Sequence, residues 1–219
     1  MSEPSQPRVV TLSSLYGTGD EVIGRRLAER LGVVFVDREI PAFVAERLGL
    51  PETAVAAYDE QQRSTLERLI DSLARAPVPS QEQPPERLDV DEHRYKVEVE
   101  QFLARTAMSG GVILGRAGAV VLHAVAGALH VRLVGPRVAR VRRVMASEAI
   151  HQATAERRVR DNDRARAAYG HKLYGVDPAA DDLYHLVIDS TAFDLGTCVD
   201  LIVAASEARA GAAAVSSPD

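Results

Sequence analysis

A single cysteine, Cys198, excludes an intrachain disulfide. It sits on an apolar helical face and reads as a small core residue. Lysine is almost as scarce, with only Lys96 and Lys172 in 219 residues, so no lysine lies near the N-terminal glycine turn described below. No apolar run reaches the length of a membrane-spanning helix. The opening MSEPSQPR has no apolar signal core, which makes a cytoplasmic protein the expectation. The six histidines, His93, His123, His130, His151, His171 and His185, show no ligand spacing, and no cysteine cluster accompanies them, so no zinc-type metal set is expected. The G-x-S-x-G elbow of serine hydrolases does not occur, and no internal repeat is visible.

What is present is an ordinary soluble composition, 46% hydrophobic and 26% charged, on a chain long enough for one α/β domain with a small inserted subdomain. Its organising stretch is Arg8 to Asp37, RVVTLSSLYGTGDEVIGRRLAERLGVVFVD. A β-branched run, Val9 to Leu12, leads into the turn Gly17-Thr18-Gly19. A helical segment follows with Ile23, Leu27 and Leu31 at four-residue spacing, and a second apolar run, Val33 to Val36, ends in Asp37. Strand, glycine turn, helix and strand make a βαβ unit. Glycines at a helix N-terminus let backbone N–H groups face an anion at the positive end of the helix dipole.

Tyr16, Gly17, Thr18, Gly19, Asp20 and Glu21 are therefore the candidate nucleotide-phosphate segment. Against the full phosphate-loop pattern G-x-x-x-x-G-K-[ST], Ser14 replaces the first glycine, Asp20 the lysine and Glu21 the hydroxyl residue. Exchanging +1 for −1 about 4 Å from a phosphate changes the pair energy by at most roughly 8 kcal/mol at an effective dielectric near 20. Asp20 and Glu21 equally suit a ligand-free helix N-cap.

Between Arg132 and Lys172, ten arginines and one lysine face four acids, a local charge of +7 in a chain of net −5. A basic patch in an acidic protein suits a small polyanion such as a nucleotide, and the lone aromatic there, Tyr169, argues against a long nucleic acid. An arginine-rich solvated helix is the simpler alternative.

Further strands are expected at Val112–Leu114, Leu129–Val134 and Leu186–Ile188. Helices are expected over about 91–108, after Gly135-Pro136 with Val138, Val141 and Met145 inward, and over about 193–205. Residues 38–48 and the stripe Leu66, Leu69, Ile70 and Leu73 read as helical, and APVPSQEQPPERLDV (76–90) as an exposed loop. Non-alternating apolar runs separated by helices imply a parallel sheet covered on both faces. Arg116, just after the third strand, falls where such sheets line a ligand crevice.

Taken together, SSLYGTGDEVIGRRLAERLGVVFVDREI (13–40), VILGRAGAVVL (112–122), HVRLVGPRVARVRRVM (130–145), RDNDRARAAYGHKLYGVD (160–177) and DLYHLVIDSTAFDLGTCVDLI (182–202) resemble the cytidylate-kinase-like family, collinearly over about residues 8–203. The resemblance implies a three-layer α/β P-loop kinase fold with a five-stranded parallel sheet in the order 2-3-1-4-5. It implies a domain over 8–206 carrying a helical nucleotide-monophosphate-binding insertion at about 39–108 and a basic lid at about 147–176; the small, polar tails at 1–7 and 207–219 read as disordered from their own residues. The activity it implies is transfer of the γ-phosphoryl group of ATP, with Mg²⁺, to a pyrimidine nucleoside monophosphate such as CMP. Gly17, Thr18 and Gly19 would then hold ATP phosphates. Asp37 would place Mg²⁺ or the acceptor, Arg116 would face the acceptor, and Arg160, Arg164 and Arg166 would be lid arginines beside Asp163. The alternatives are a catalytically weak nucleotide-binding protein serving as a sensor or partner-binding module, and a phosphotransferase acting on a non-nucleotide small molecule. Small-molecule nucleotides are the expected partners, with no membrane; the sequence leaves the oligomeric state open.

Overall fold

A computed structural model of the protein describes residues 7–37 and 92–215. The elements, numbered in chain order, are β1 Val9–Ser14, α1 Asp20–Leu31, β2 Val34–Val36, α2 Glu92–Ser109, β3 Gly111–Leu114, the one-turn α3 Gly118–Val121, β4 Leu129–Val134, α4 Arg137–Glu148, α5 Gln152–Tyr174, a 3₁₀ turn Asp181–Leu183, β5 Leu186–Asp189, and α6 Leu195–Val215. The sequence expectations for 38–48, Leu66–Leu73 and 76–90 lie outside the described residues.

Every strand pairing is parallel and the order is β2-β3-β1-β4-β5. Successive strand residues point to opposite faces, and both faces are covered. Val9, Ile113 and Val36 pack with Tyr95, Val99 and Leu103 of α2, together with Leu122 and Leu173. Val10, Leu12, Val112, Leu114, Val131 and Leu133 pack with Ile23 and Leu27 of α1 and Cys198, Val199 and Ile202 of α6. Two-faced burial is why the strands read as continuous apolar runs. It also makes Cys198 a core residue, with burial pushing its thiol pKa up. Residues 92–108, the described part of the expected insertion, thus form a helix that belongs to the core.

Two expectations are corrected. The tail expected from Glu207 onward is helical as far as Val215, joined to the body by an Arg8–Glu207 ion pair and by Arg209 Nε donating to the Ala128 carbonyl. Alanine, the strongest helix former, fills much of that stretch. In α4 the buried face is Arg140, Val141 and Val144, while Val138 is 70% exposed. The helix is rotated relative to the expected stripe because Arg140 has buried polar partners.

Register places the functional edge. Leu12 pairs with Leu114 and Val36 with Ile113, while Ser14 pairs with Leu133. The glycine turn, Asp37, the Gly115–Ala117 turn and Gly135-Pro136 therefore all leave the sheet at its carboxyl edge, where open α/β sheets bind ligands.

Candidate active site

The turn between β1 and α1 is built from two glycines in the left-handed region, Gly17 at φ 84° and Gly19 at φ 80°. A Cβ on Gly17 would lie 2.9 Å from the Arg140 carbonyl, so the turn and α4 meet at backbone distance. Gly17→Ala is expected to cost at least about 2 kcal/mol, from left-handed strain plus that contact. Urea denaturation checks it: a loss under about 0.5 kcal/mol would mean the turn is loosely held.

Side-chain donors hold the carbonyls of this turn. Arg166 Nη1 donates to Ser14 O at 2.9 Å, Thr18 Oγ1 to Leu15 O at 2.8 Å, and Arg140 Nη1 to Tyr16 O at 2.8 Å. The Thr18 carbonyl accepts from both Arg143 Nη1 (2.5 Å) and Ser190 Oγ (2.8 Å). The N–H groups of Gly17 and Gly19 have no acceptor among the described residues. Carbonyls turned into protein, with N–H groups left over at a helix N-terminus, are an arrangement in which an anion can be accommodated.

Helix α5 lies against this turn. Asp163 accepts the Tyr16 N–H at 2.8 Å through one carboxylate oxygen and pairs with Arg140 at 2.9 Å through the other. Tyr16 OH donates to Glu148 at 2.5 Å, and Glu148 also pairs with Arg158. Burial, then the Glu148 carboxylate, pushes the Tyr16 hydroxyl up to about 12, so it stays a donor. Asp20 is the first helical residue of α1, whose cap is Gly19 with no side-chain cap bond. Its carboxylate accepts from Ser14 Oγ at 2.5 Å and pairs with Arg166 at 2.9 Å.

The sequence candidates therefore divide. Tyr16, Gly17, Thr18, Gly19, Asp20, Asp163 and Arg166 are brought together. Glu21 is on the helix surface, paired with Arg25 at 3.0 Å. Arg160 is exposed and pairs with its neighbour Asp161, and Arg164 is exposed on the same helix. Asp37 is half-buried at the end of β2. Arg116 is buried after β3 in a left-handed conformation, φ 57°, with Nη1 3.4 Å from Tyr95 OH. Sequence reasoning missed Ser14, Arg140, Arg143, Glu148 and Ser190. The available signal was arginine at i and i+3 in a helix that must pack near a lysine-less glycine turn.

A parallel sheet in this order, with a glycine turn between its first strand and first helix, is the fold of P-loop kinases. A gluconokinase from Sinorhizobium meliloti has the same fold, with a TM-score of 0.51 at 14% identity over 98% of this chain and 100% of that one. The chain belongs to the cytidylate kinase-like family, whose model matches residues 9–192. A cytidylate kinase from Methanopyrus kandleri is 27% identical over 209 residues, 90% of this chain and 92% of that relative. A uronate isomerase from Corynebacterium glutamicum is 40% identical over 94 residues; these are 43% of this chain and only 18% of that relative, so the chain spans under a fifth of its length. Among the described residues no helix is long and apolar enough to cross a membrane, and no three His, Cys, Asp or Glu side chains gather as a metal-binding group.

Proposed function

We propose that the protein is a nucleoside monophosphate kinase that transfers the γ-phosphoryl group of ATP to a pyrimidine nucleoside monophosphate such as CMP. The observation that carries this reading is the glycine turn itself. Side chains of α4, α5 and the β5 end hold its carbonyls, leaving the Gly17 and Gly19 N–H groups at the carboxyl edge of a P-loop kinase sheet. Phosphoryl transfer needs positioning and neutralisation of oxygen charge more than covalent chemistry. The turn would cradle the donor phosphates. Arg160, Arg164 and Arg166 on α5 would face the transferring group, and Arg116 the acceptor. The residues present fit Mg²⁺: a strand-end carboxylate, Asp37, suits a cation that takes one or two carboxylates together with waters and phosphate oxygens. Asp37 would hold it, and when bound it would offset charge on the phosphate oxygens.

The test is diphosphate formation from ATP–Mg²⁺ with CMP, dCMP, UMP or AMP. Product with a pyrimidine acceptor is expected; none with any of the four overturns the reading. Arg164→Ala should lower turnover at least about tenfold, because a lid guanidinium acts on transition-state charge. Stability should change by less than about 0.5 kcal/mol, as for an exposed side chain. Equal losses in both would make Arg164 structural. The acid in place of the loop lysine favours a second reading, a nucleotide-binding protein without turnover. Tight ATP and CMP binding with no product would select it.

A further inference from the structure

The acid at position 20 removes a cation from the phosphate loop, yet its carboxylate does not stand alone. All three polar contacts of Arg166 run through one nitrogen: Nη1 donates to Asp20 Oδ2 at 2.9 Å, to Ser14 O at 2.9 Å and to Ser14 Oγ at 2.5 Å. Its guanidinium carbon also lies 5.6 Å from the centroid of the Tyr16 ring. Nε and Nη2 donate to no group among the described residues, and the side chain is 38% exposed. Arginine carries five N–H donors in a rigid fork. One nitrogen is thus anchored to the first helical residue of α1, and the rest of the fork remains available to an anion's oxygens.

We infer that Asp20 is a positioning residue, and that the Asp20–Arg166 pair together does the work of the missing loop lysine. Asp20 is not itself a phosphate contact. It fixes, from the loop side, a cation that reaches the turn from α5, 146 residues along the chain. Ser14, in place of the first glycine of the loop pattern, has a role in the same device: its hydroxyl and carbonyl are the other two seats of Nη1. The charge is contributed by α5, so it reaches the donor phosphates only when that helix lies on the turn. A kinase of this design would couple donor binding to lid position directly, where a lysine within the loop does not. This inference rests on the donor-site reading above.

The sign of one substitution separates it from simple electrostatics. If Asp20 merely repels phosphate, Asp20→Asn tightens binding. If it positions Arg166, Asp20→Asn weakens binding of ATP–Mg²⁺ and of inorganic tripolyphosphate by about tenfold, the scale of one charge-assisted contact. Arg166→Ala leaves Asp20 uncompensated beside the cradle, and its loss should exceed about thirtyfold. The decisive variant is the double substitution Asp20→Lys with Arg166→Ala, which returns the cation to the loop. Its affinity should recover to within about threefold of the parent, which a merely structural role for the pair would not produce.

Calorimetric titration of the full chain with both probes, alongside the turnover assay, gives each outcome a meaning. Weakening by Asp20→Asn with recovery in the double variant supports the pair, whether or not the protein turns over. Unchanged or tighter binding in Asp20→Asn, or a double variant as weak as Arg166→Ala, overturns the pair and leaves the kinase reading to the turnover result. No binding of either probe by the parent overturns both.

Discussion

Replacing Arg140 by alanine is expected to cost about 3 kcal/mol of folding stability, at the lower end of what removing one partner of a buried ion pair costs. Arg140 is 5% exposed, and its guanidinium joins three parts of the chain. Nε donates to the Gly135 carbonyl at 2.9 Å, while Nη1 donates to the Tyr16 carbonyl at 2.8 Å and to Asp163 at 2.9 Å. Its loss leaves a part-buried carboxylate facing a carbonyl, a repulsive pair with no donor between them. For a chain of this size the melting temperature should fall by roughly 6–12 °C.

Binding should suffer as well, since Asp163 then holds the Tyr16 N–H without the counter-charge that fixes its own orientation. Asp163→Asn should cost less, because an amide oxygen can still accept the Tyr16 N–H. The double variant Arg140→Ala with Asp163→Asn should be less damaged than the sum of its parts, since neither charge is then left alone. Urea denaturation of the three variants checks this. A cost under about 1 kcal/mol for Arg140→Ala would mean that the α4–α5 pair is open in solution.

Arg140 also shows where the sequence stops being readable. The strands were legible because a strand buried on both faces needs apolar residues throughout, and Val112–Leu114 and Leu129–Val134 announce that locally. The phase of α4 was not. Its apolar residues allow two stripes, one through Val138, Val141 and Met145 and one through Val141 and Val144. The choice between them is made by Asp163, 23 residues later, and by a carbonyl 124 residues earlier. No local pattern encodes those partners.

The same holds for Asp20. At a helix N-terminus an acid is unremarkable by dipole arguments, and only the arrival of Arg166 gives it a specific role. The glycine turn, in contrast, was legible, because Gly17 and Gly19 occupy positions that only a residue without Cβ holds cheaply. Helix α6 was cut short for another reason. Its last two turns are alanine-rich and lack an amphipathic stripe, so periodicity gave no signal although intrinsic propensity did.

The second large effect lies at the far end of the sheet from the glycine turn. His130, the second residue of β4, is 2% exposed; its Nδ1 is 2.8 Å from Thr11 Oγ1, and its ring stacks on His185 with centroids 4.9 Å apart. Burial first, then the His185, Arg209 and His123 charges, pushes its pKa down from 6.5 to about 4. His185 is displaced in the same direction, again mainly by burial. A histidine held neutral when folded binds no proton between those values, whereas the unfolded chain does. Its contribution is therefore complete above pH 6.5, is lost as pH falls toward 4, and changes no further below that.

The loss on this account is about 3 kcal/mol, with a slope near 1.4 kcal/mol per pH unit in the middle of the window. Carboxylates titrating near pH 4 add their own dependence, so the informative quantity is the difference from His130→Gln, which cannot titrate but can still bond Thr11. That variant should be less stable than the parent at pH 7.5, having lost the stacked ring, and should close the gap as the pH approaches 4.5. Parallel urea-denaturation curves for the two proteins across pH 7.5 to 4.5 would show that His130 protonates in place without penalty. Converging curves would make this buried ring a main source of acid sensitivity in a domain whose candidate active site lies at the opposite edge.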